Sequence, residues 1–548
     1  MVRRLNLRCL LGTGSRWFVL STVVFASAAT SGRHTNAASE LLAVTGQLQP
    51  GSSSIQLLGV SASTLNEAGE VAFRATLKQG VGLVDATNDR AVWRIDGAVR
   101  RLIAQTGVGD VPGGGSFDAF QAISIGDAGE VVIRATATSG RAGIWRYPTA
   151  PAAGSPIATT GVIGVPGVPT AQYGSIGFPL LHAPDNVVAY DGQLAHGIGG
   201  VTSSNDRGAW IDVAGVQAQI AREQTTPPPG VPEGQYQVPV AMAVNNQAQV
   251  AMLGTLMVNG TSITSLNAFG MWRQSAGGGE LVARRYFGGV AELPLASFSA
   301  FLEPTINSGG QMAFAAELEI EGAVTAANNR GVWLHEGASG EILLRSGAAA
   351  PDVGGASLAA FESPLLNDAG QALIPATLVE GSGGVNSQNS HGLWVVEPGG
   401  GALLARTGSA GVPGVPGAHF AIFGALAFNE SGVAAVQASL ADVAPGTDQG
   451  LWLLDGTASS VLVARTGDVV GSRTIASLEF TGGSGGGDGR QRALNSNGQL
   501  VYKATFTNGD EGLFLYSPTV ASSADFTLDG IVNGADLLEW RNGFGLAL

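Results

Sequence analysis

Near the C-terminus, Asp525-Phe526-Thr527-Leu528-Asp529-Gly530-Ile531-Val532-Asn533-Gly534-Ala535-Asp536 carries the pattern with the most definite chemistry in the chain. Oxygen donors stand at alternate positions: the side chains of Asp525, Thr527, Asp529, Asn533 and Asp536, and the backbone carbonyl of Ile531. This is the spacing of a twelve-residue calcium loop of EF-hand type, with Gly530 at the sixth position for the sharp turn. Hard carboxylate oxygens suit a hard cation, so calcium is the expected cofactor and these six residues its expected ligands. Leu537 to Arg541 then begins an exiting helix; the competing reading is a plain Asp/Gly-rich turn.

This segment resembles one half of a type I dockerin, in which Asp rather than Glu ends the loop and Asn commonly holds the ninth position. It departs from that pattern at Thr527, where Asp or Asn is expected, and no second calcium loop follows. The resemblance implies a cohesin-like or cell-surface protein as the partner of the tail.

Other chemistry-bearing residues form no comparable group. Of the six histidines, His34, His182, His196, His335, His391 and His419, none has the paired spacing of a zinc site, and no nucleophile elbow is present. His182 and His196, with Asp185 and Asp191 between them, are the nearest approach to a metal group, and scattered loop residues explain them equally well. A glycosidase carboxylate pair needs only spatial proximity, so the abundant acids leave that chemistry open.

The elements that would position any site come from a repeat of about 60 residues, seen eight times. One anchor is an Asn-x-x-Gly turn: Asn66 to Gly69, Asn307 to Gly310, Asn367 to Gly370, Asn429 to Gly432 and Asn495 to Gly498, with weaker copies at Gly126 to Gly129, Pro184 to Val187 and Asn245 to Ala248. There Asn bonds its own backbone and Gly accepts positive φ. The other anchor is a small residue, an apolar residue and an aromatic, as in Ala91-Val92-Trp93 or Gly392-Leu393-Trp394, ending with Gly512-Leu513-Phe514. Seven of the nine tryptophans sit at that third position, so its role is architectural.

Each unit divides into four short strands: a run into the turn, a run of small, β-branched and aromatic residues such as Val71 to Leu77, the aromatic anchor, and a run such as Leu403-Leu404-Ala405. Four strands per repeat without helical periodicity predict the blades of a propeller. The eighth unit lacks its fourth strand, while Leu41-Leu42-Ala43-Val44-Thr45-Gly46 is such a strand standing alone before the first unit. The fold class expected is therefore all-β, an eight-bladed β-propeller closed by its N-terminal strand, over 41–517; an open solenoid is the alternative.

Between blades, Val111-Pro112-Gly113, Val165-Pro166-Gly167, Val231-Pro232 and Val412-Pro413-Gly414 read as crossings from an outer strand to the next inner one. The loops Lys78 to Arg90, Glu319 to Arg330 and Val379 to His391 vary in length and composition, and a glycan or protein ligand is expected there if anywhere. Asn88-Asp89-Arg90, Asn205-Asp206-Arg207 and Asn328-Asn329-Arg330 precede the same strand and read as a turn that positions the aromatic. The stretch Asp206 to Trp210 resembles the Asp-box turn of sialidase propellers but is one residue shorter.

At 548 residues the chain exceeds the roughly 250–300 residues that one core supports, a limit repeat folds evade. Its 45% hydrophobic content predicts a folded chain despite 82 glycines. Residues 1–29 read as a secretory signal: Arg3, Arg4, Arg8 and Arg16, then apolar Trp17 to Phe25, then Ala26-Ser27-Ala28. The apolar run is short of the roughly 20 residues needed to span a bilayer, so a membrane anchor is not expected. Removing four arginines and no acid takes the formal charge from -14 to -18, which disfavours nucleic acid and anionic membranes as partners. The single cysteine, Cys9, lies in that segment, so the mature form is expected to hold no disulfide. Residues 30–40 form a leader to the propeller, and 518–548 the calcium-loop tail.

The repeated body is similar to the secreted bacterial proteins with tandem Asn-x-x-Gly-x-x-Ala-Phe repeats and interchangeable C-terminal anchors, the choice-of-anchor type. Asn66-Glu67-Ala68-Gly69-Glu70-Val71-Ala72-Phe73 and Asn307-Ser308-Gly309-Gly310-Gln311-Met312-Ala313-Phe314 match in full. The resemblance covers Leu41 to Ser517 and implies an exported repeat body with an attachment tail. Two functions are consistent with these readings: a secreted, non-enzymatic binding or structural propeller held at the cell surface or in an extracellular assembly, and a carbohydrate-active enzyme on a propeller scaffold.

Overall fold

The run after each turn is apolar at nearly every position, and such a strand must be covered on both faces. Val71–Leu77, Val131–Ala137 and Val250–Leu256 share one burial pattern, with only their fourth and sixth residues partly exposed. The computed structural model describes residues 39–518, apart from 50–53, 110, 113–114, 150–152, 226, 338, 458 and 485–486. It covers these strands by ranging eight small sheets round a ring, an eight-bladed β-propeller with four strands per blade and no helix among the described residues. Apolar clusters lie between adjacent blades, as where Val92 and Ala104 of blade 1 join Ile133 and Trp145 of blade 2.

Blade 1 runs Leu57–Leu65, Val71–Leu77, Arg90–Asp96 and Val99–Gln105, each strand antiparallel to the last. The others follow the same order from the axis outward. Blade 8 takes Arg473–Glu479, Leu500–Phe506 and Glu511–Tyr516 from the end of the chain and its outer strand, Ser39–Val44, from the beginning. Leu41 pairs with Phe514 and Val44 with Gly512, so the ring is closed as the unpaired N-terminal strand required. That strand starts at Ser39, two residues ahead of Leu41.

The aromatic anchor works through three contacts. Trp145, Trp210, Trp272, Trp333 and Trp452 each meet an aromatic of their own blade's first strand edge-on at a centroid distance of 5.1 Å. The indole Nε1 of Trp210, Trp272, Trp394 and Trp452 donates to the carbonyl of Pro166, Pro229, Pro351 and Pro413 in the crossing before the blade, at 3.0–3.1 Å. The ring also folds back over the small residue: a Cβ on Gly392 would stand 2.4 Å from the Trp394 ring.

The turns are joined to each other. Asn66, Asn245, Asn307, Asn367, Asn429 and Asn495 each accept the N–H four residues on at 2.8–3.0 Å. Through Nδ2, each also donates to the backbone carbonyl at the start of the next turn, at 126, 307, 367, 429, 495 and 66 respectively, at 2.8–3.4 Å. This chain of bonds lapses where Gly126 and Ala183 stand in place of Asn. Blade 3 departs from the expected register: its turn is 183–186, between His182 and Val187, with Asn186 at φ 56, one residue before the Pro184 to Val187 copy.

Candidate functional site

A propeller axis is ordinarily an open channel; in this chain it is crossed by a segment of blade 8. Where other blades pass from first to second strand through a short turn, blade 8 inserts 480–499. Gly483 O accepts from Phe428 N, Ser484 Oγ from Leu366 N, and Asp488 from Thr305 Oγ1 and Val244 N. Gly489 O accepts from Leu181 N, Gln491 Nε2 donates to Ile123 O, and Arg492 O accepts from Leu65 N. The insertion thus reaches all seven other blades at the inner ends of their first strands. Arg492, 4% exposed, bonds Leu65 O at 2.9 Å and Glu67 at 2.6 Å, and pairs with Asp127 of blade 2.

Acids beside the turns surround this plug. Ser308 N donates to Asp368 Oδ1 at 2.7 Å, Asp368 N to Glu430, and Glu67 N to Asp127 Oδ1 at 2.9 Å. Burial, reinforced by the Asp368 and Glu67 carboxylates, pushes Glu430 up to about 7. These carboxylates are engaged by backbone N–H groups of the preceding blade, so they join blades rather than form an open site.

The opposite face, formed by the ends of the second strands and the long loops, carries two grooves. The larger, of about 630 Å³, lies between blades 1 and 2 and is lined by Arg74, Gln79, Asp89, Arg90, Asp118 and Phe120, with Ser61, Thr76 and several alanines. Arg74 forms its wall by reaching from blade 1 to the carbonyls of Phe120 and Gln121 in blade 2, at 2.8 and 3.0 Å. Burial, then the neighbouring Arg90, lowers the pKa of its guanidinium, and its Nε is buried without a partner among the described residues. Asp89 is held by Gln79 at 2.8 Å and Arg90 at 3.3 Å, and Arg90 also bonds Thr76 at 3.1 Å. Asp118 is exposed and makes no hydrogen bond or ion pair among the described residues.

The loop at the lip of this groove is built around a buried valine, Val84, and a capping Asn88 that binds Asp85 N and Leu83 O. Asn205, Asn267, Asn328 and Asn389 cap the corresponding loops in the same way. These loops are a shared scaffold rather than freely varied segments. At the position of Gly200 (φ 76) and Gly384 (φ 78), blade 1 places Leu83 at φ 66 and 95% exposed. A bulky residue in that left-handed conformation is strained, and strain of this kind clusters at functional sites.

The same place between blades 5 and 6 holds a smaller groove of about 400 Å³. Arg330 and Phe361 correspond there to Arg90 and Phe120, while Ala315 and Leu302 stand where blade 1 has Arg74 and Ser61. The fold thus supplies the groove, and blades 1 and 2 supply its polar lining.

Residues 65–521 match a family of unknown function, DUF7453. The chain belongs to this family. No curated protein matches this DUF7453 member. Among solved structures, one reported in a study of two prolyl endopeptidases is 12% identical with a TM-score of 0.41, covering 81% of this chain and 54% of that one. The β-propeller domain of the Trilobed protease from Pyrococcus furiosus, described as having an open velcro topology, is 10% identical with a TM-score of 0.37, covering 75% and 100%. Saccharomyces cerevisiae Sqt1 is 9% identical with a TM-score of 0.36, covering 88% and 99%. The DUF7453 chain spans about half the length of the first of these. At such low similarity nothing about its chemistry follows from them.

The sequence-expected sites fare differently. The calcium loop, Asp525, Thr527, Asp529, Ile531, Asn533 and Asp536, and the signal segment 1–29 lie outside the described residues. His182 and His196 are not brought together: His182 is fully buried beside the plug, with Asp185 3.7 Å away, while His196 pairs with Asp206 on the loop face. Asp191 is half-buried near Arg134, and its desolvation raises its pKa. Among the described residues no three His, Cys, Asp or Glu side chains gather as metal ligands. The Asn88-Asp89-Arg90 turn does lead into the aromatic strand, with Asp89 O accepting from Leu77 N at 2.7 Å, but Asp89 and Arg90 also line the groove. Spacing alone hid this role, because the lining residues come from two blades.

Proposed function

We propose that this DUF7453 member is an exported, non-enzymatic propeller that binds an extracellular ligand, and that its C-terminal residues attach it to a cell-surface or extracellular partner through a calcium loop. The groove between blades 1 and 2 carries the binding reading: it is concave, mixes apolar and convergent polar groups, and is lined in part by a loop, Gln79 to Asp89, that holds a strained, exposed leucine. The groove lies on the loop face, away from the 480–499 insertion, and is open to a ligand there. For the tail, the donor set of Asp525, Thr527, Asp529, Ile531, Asn533 and Asp536 suits calcium, which would order the loop and its following segment.

A thermal-shift screen of the full chain against soluble saccharides, peptides and nucleotides tests the binding role. A ligand that raises the Tm of the wild type but not of Asp118→Ala is the expected result; no shift with any class overturns it. Turnover of a panel saccharide to smaller products would replace the non-enzymatic reading with a carbohydrate-active one. Calorimetric calcium titration tests the tail: saturable binding lost in the Asp529→Ala/Asp536→Ala double variant is expected, and equal binding in both proteins, or none in either, overturns it.

A further inference from the structure

The composition of the groove between blades 1 and 2 narrows the class of ligand, granted the binding role proposed above. Its fixed charges cancel, with Arg74 and Arg90 set against Asp89 and Asp118. Both guanidiniums already have partners, Arg74 Nη1 on two backbone carbonyls and Arg90 on Asp89 and Thr76, and a carboxylate of the same groove balances each charge. A cation would find only Asp118, because Asp89 is already held by Gln79 and Arg90.

What remains available is matched to a neutral, hydroxyl-rich ligand. Asp118 offers acceptors, Arg74 Nη2 a donor, and Ser61 a hydroxyl, in a groove whose formal charges balance. Phe120, half-buried and fixed against Phe117 at 5.3 Å, offers an aromatic face to the C–H side of a sugar ring. A groove of about 630 Å³ holds one or two such rings. We propose that the groove between blades 1 and 2 is a neutral-oligosaccharide site, with Asp118 and Arg74 as its polar contacts and Phe120 as its stacking surface.

Calorimetric titration of the full chain with cellohexaose, xylohexaose and mannohexaose, beside oligogalacturonate and a set of uncharged hexapeptides, tests this. Binding of at least one neutral hexasaccharide, weakened tenfold or more in both Asp118→Ala and Phe120→Ala, is the expected result. Glu317→Ala, in the equivalent groove of blades 5 and 6, should leave that binding unchanged. Circular dichroism melts of each variant show whether a loss reflects folding, and Asp118→Ala alters only an exposed side chain. Binding of oligogalacturonate or peptide alone, abolished by Asp118→Ala, overturns the saccharide class while leaving the groove as a binding site. Saccharide binding unaffected by either groove variant overturns the site, and absence of binding in every arm overturns both.

Discussion

Glu430 stands out among the titratable residues because its pKa, raised to about 7 by burial and by Asp368 and Glu67, lies well above that of a carboxyl in the unfolded chain. The native state therefore holds a proton that the unfolded state has released between about pH 4.5 and pH 7. The associated stability is complete below the lower value and is lost as pH rises through the upper one. The difference is worth roughly 1–3 kcal/mol once partial exposure is allowed for. Arg492, which also faces Glu430, opposes the shift. The Tm of the wild type should thus fall between pH 5 and pH 8 by a few degrees more than that of Glu430→Gln; equal slopes would show that the carboxyl titrates normally. His182, kept neutral by burial, works in the opposite sense below its usual range, so the comparison must be between variant and wild type. It occupies the place that Leu65, Val244, Leu366 and Phe428 fill in other blades, with both ring nitrogens buried and without a hydrogen bond among the described residues. His182→Leu should therefore stabilise the protein by about 1–2 kcal/mol, read as a higher midpoint in urea. Histidine's misfit is invisible in isolation, because only alignment with the other blades shows an apolar position.

At the level of elements, both repeat anchors were legible in the sequence, since each is a local pattern with a local cause. Asn at the turn and Gly before Trp could be assigned from backbone preference and spacing. Their longer reach could not: the Asn Nδ2 bond to the next turn and the Trp Nε1 bond to the crossing proline join residues about 40 to 60 positions apart. Gly392→Ala tests the second anchor, since its new methyl must displace the Trp394 ring in a packed blade. The expected cost is about 1–3 kcal/mol, with quenched near-ultraviolet tryptophan dichroism, while Gly381→Ala, with open space around it but positive φ, should cost less. The insertion at 480–499 escaped notice for another reason. Thr481-Gly482-Gly483-Ser484-Gly485-Gly486-Gly487-Asp488-Gly489 has the composition of a linker, and only the surrounding inner strands, with their unpaired N–H groups, make it a structural element. Replacing 481–491 by a short turn should leave those donors unpaired and lower Tm by ten degrees or more.

For the whole molecule, the ring and its closure followed from counting strands at the two ends of the array, because a missing fourth strand at one end and a spare one at the other admit few arrangements. The groove did not follow, since its lining comes from two blades and its charges matter only in combination. Deleting 39–46 should open the ring at blade 8, exposing the edge of Glu511–Tyr516. The expected result is loss of a single cooperative melt together with concentration-dependent association in light scattering; an unchanged monomeric melt would show that closure is dispensable.

Shared ownership of blade 8 also sets a timetable. A chain made from its N-terminus presents Ser39–Val44 first, and the strand that pairs with it, Glu511–Tyr516, almost last. At 5–20 residues per second, that first strand waits on the order of a minute for its neighbour. The plug that ties the inner strands together is likewise made only after seven blades. Until then the nascent ring has an open seam and a hollow axis, and its need for protection from other chains is greatest just before Glu511–Tyr516 is made.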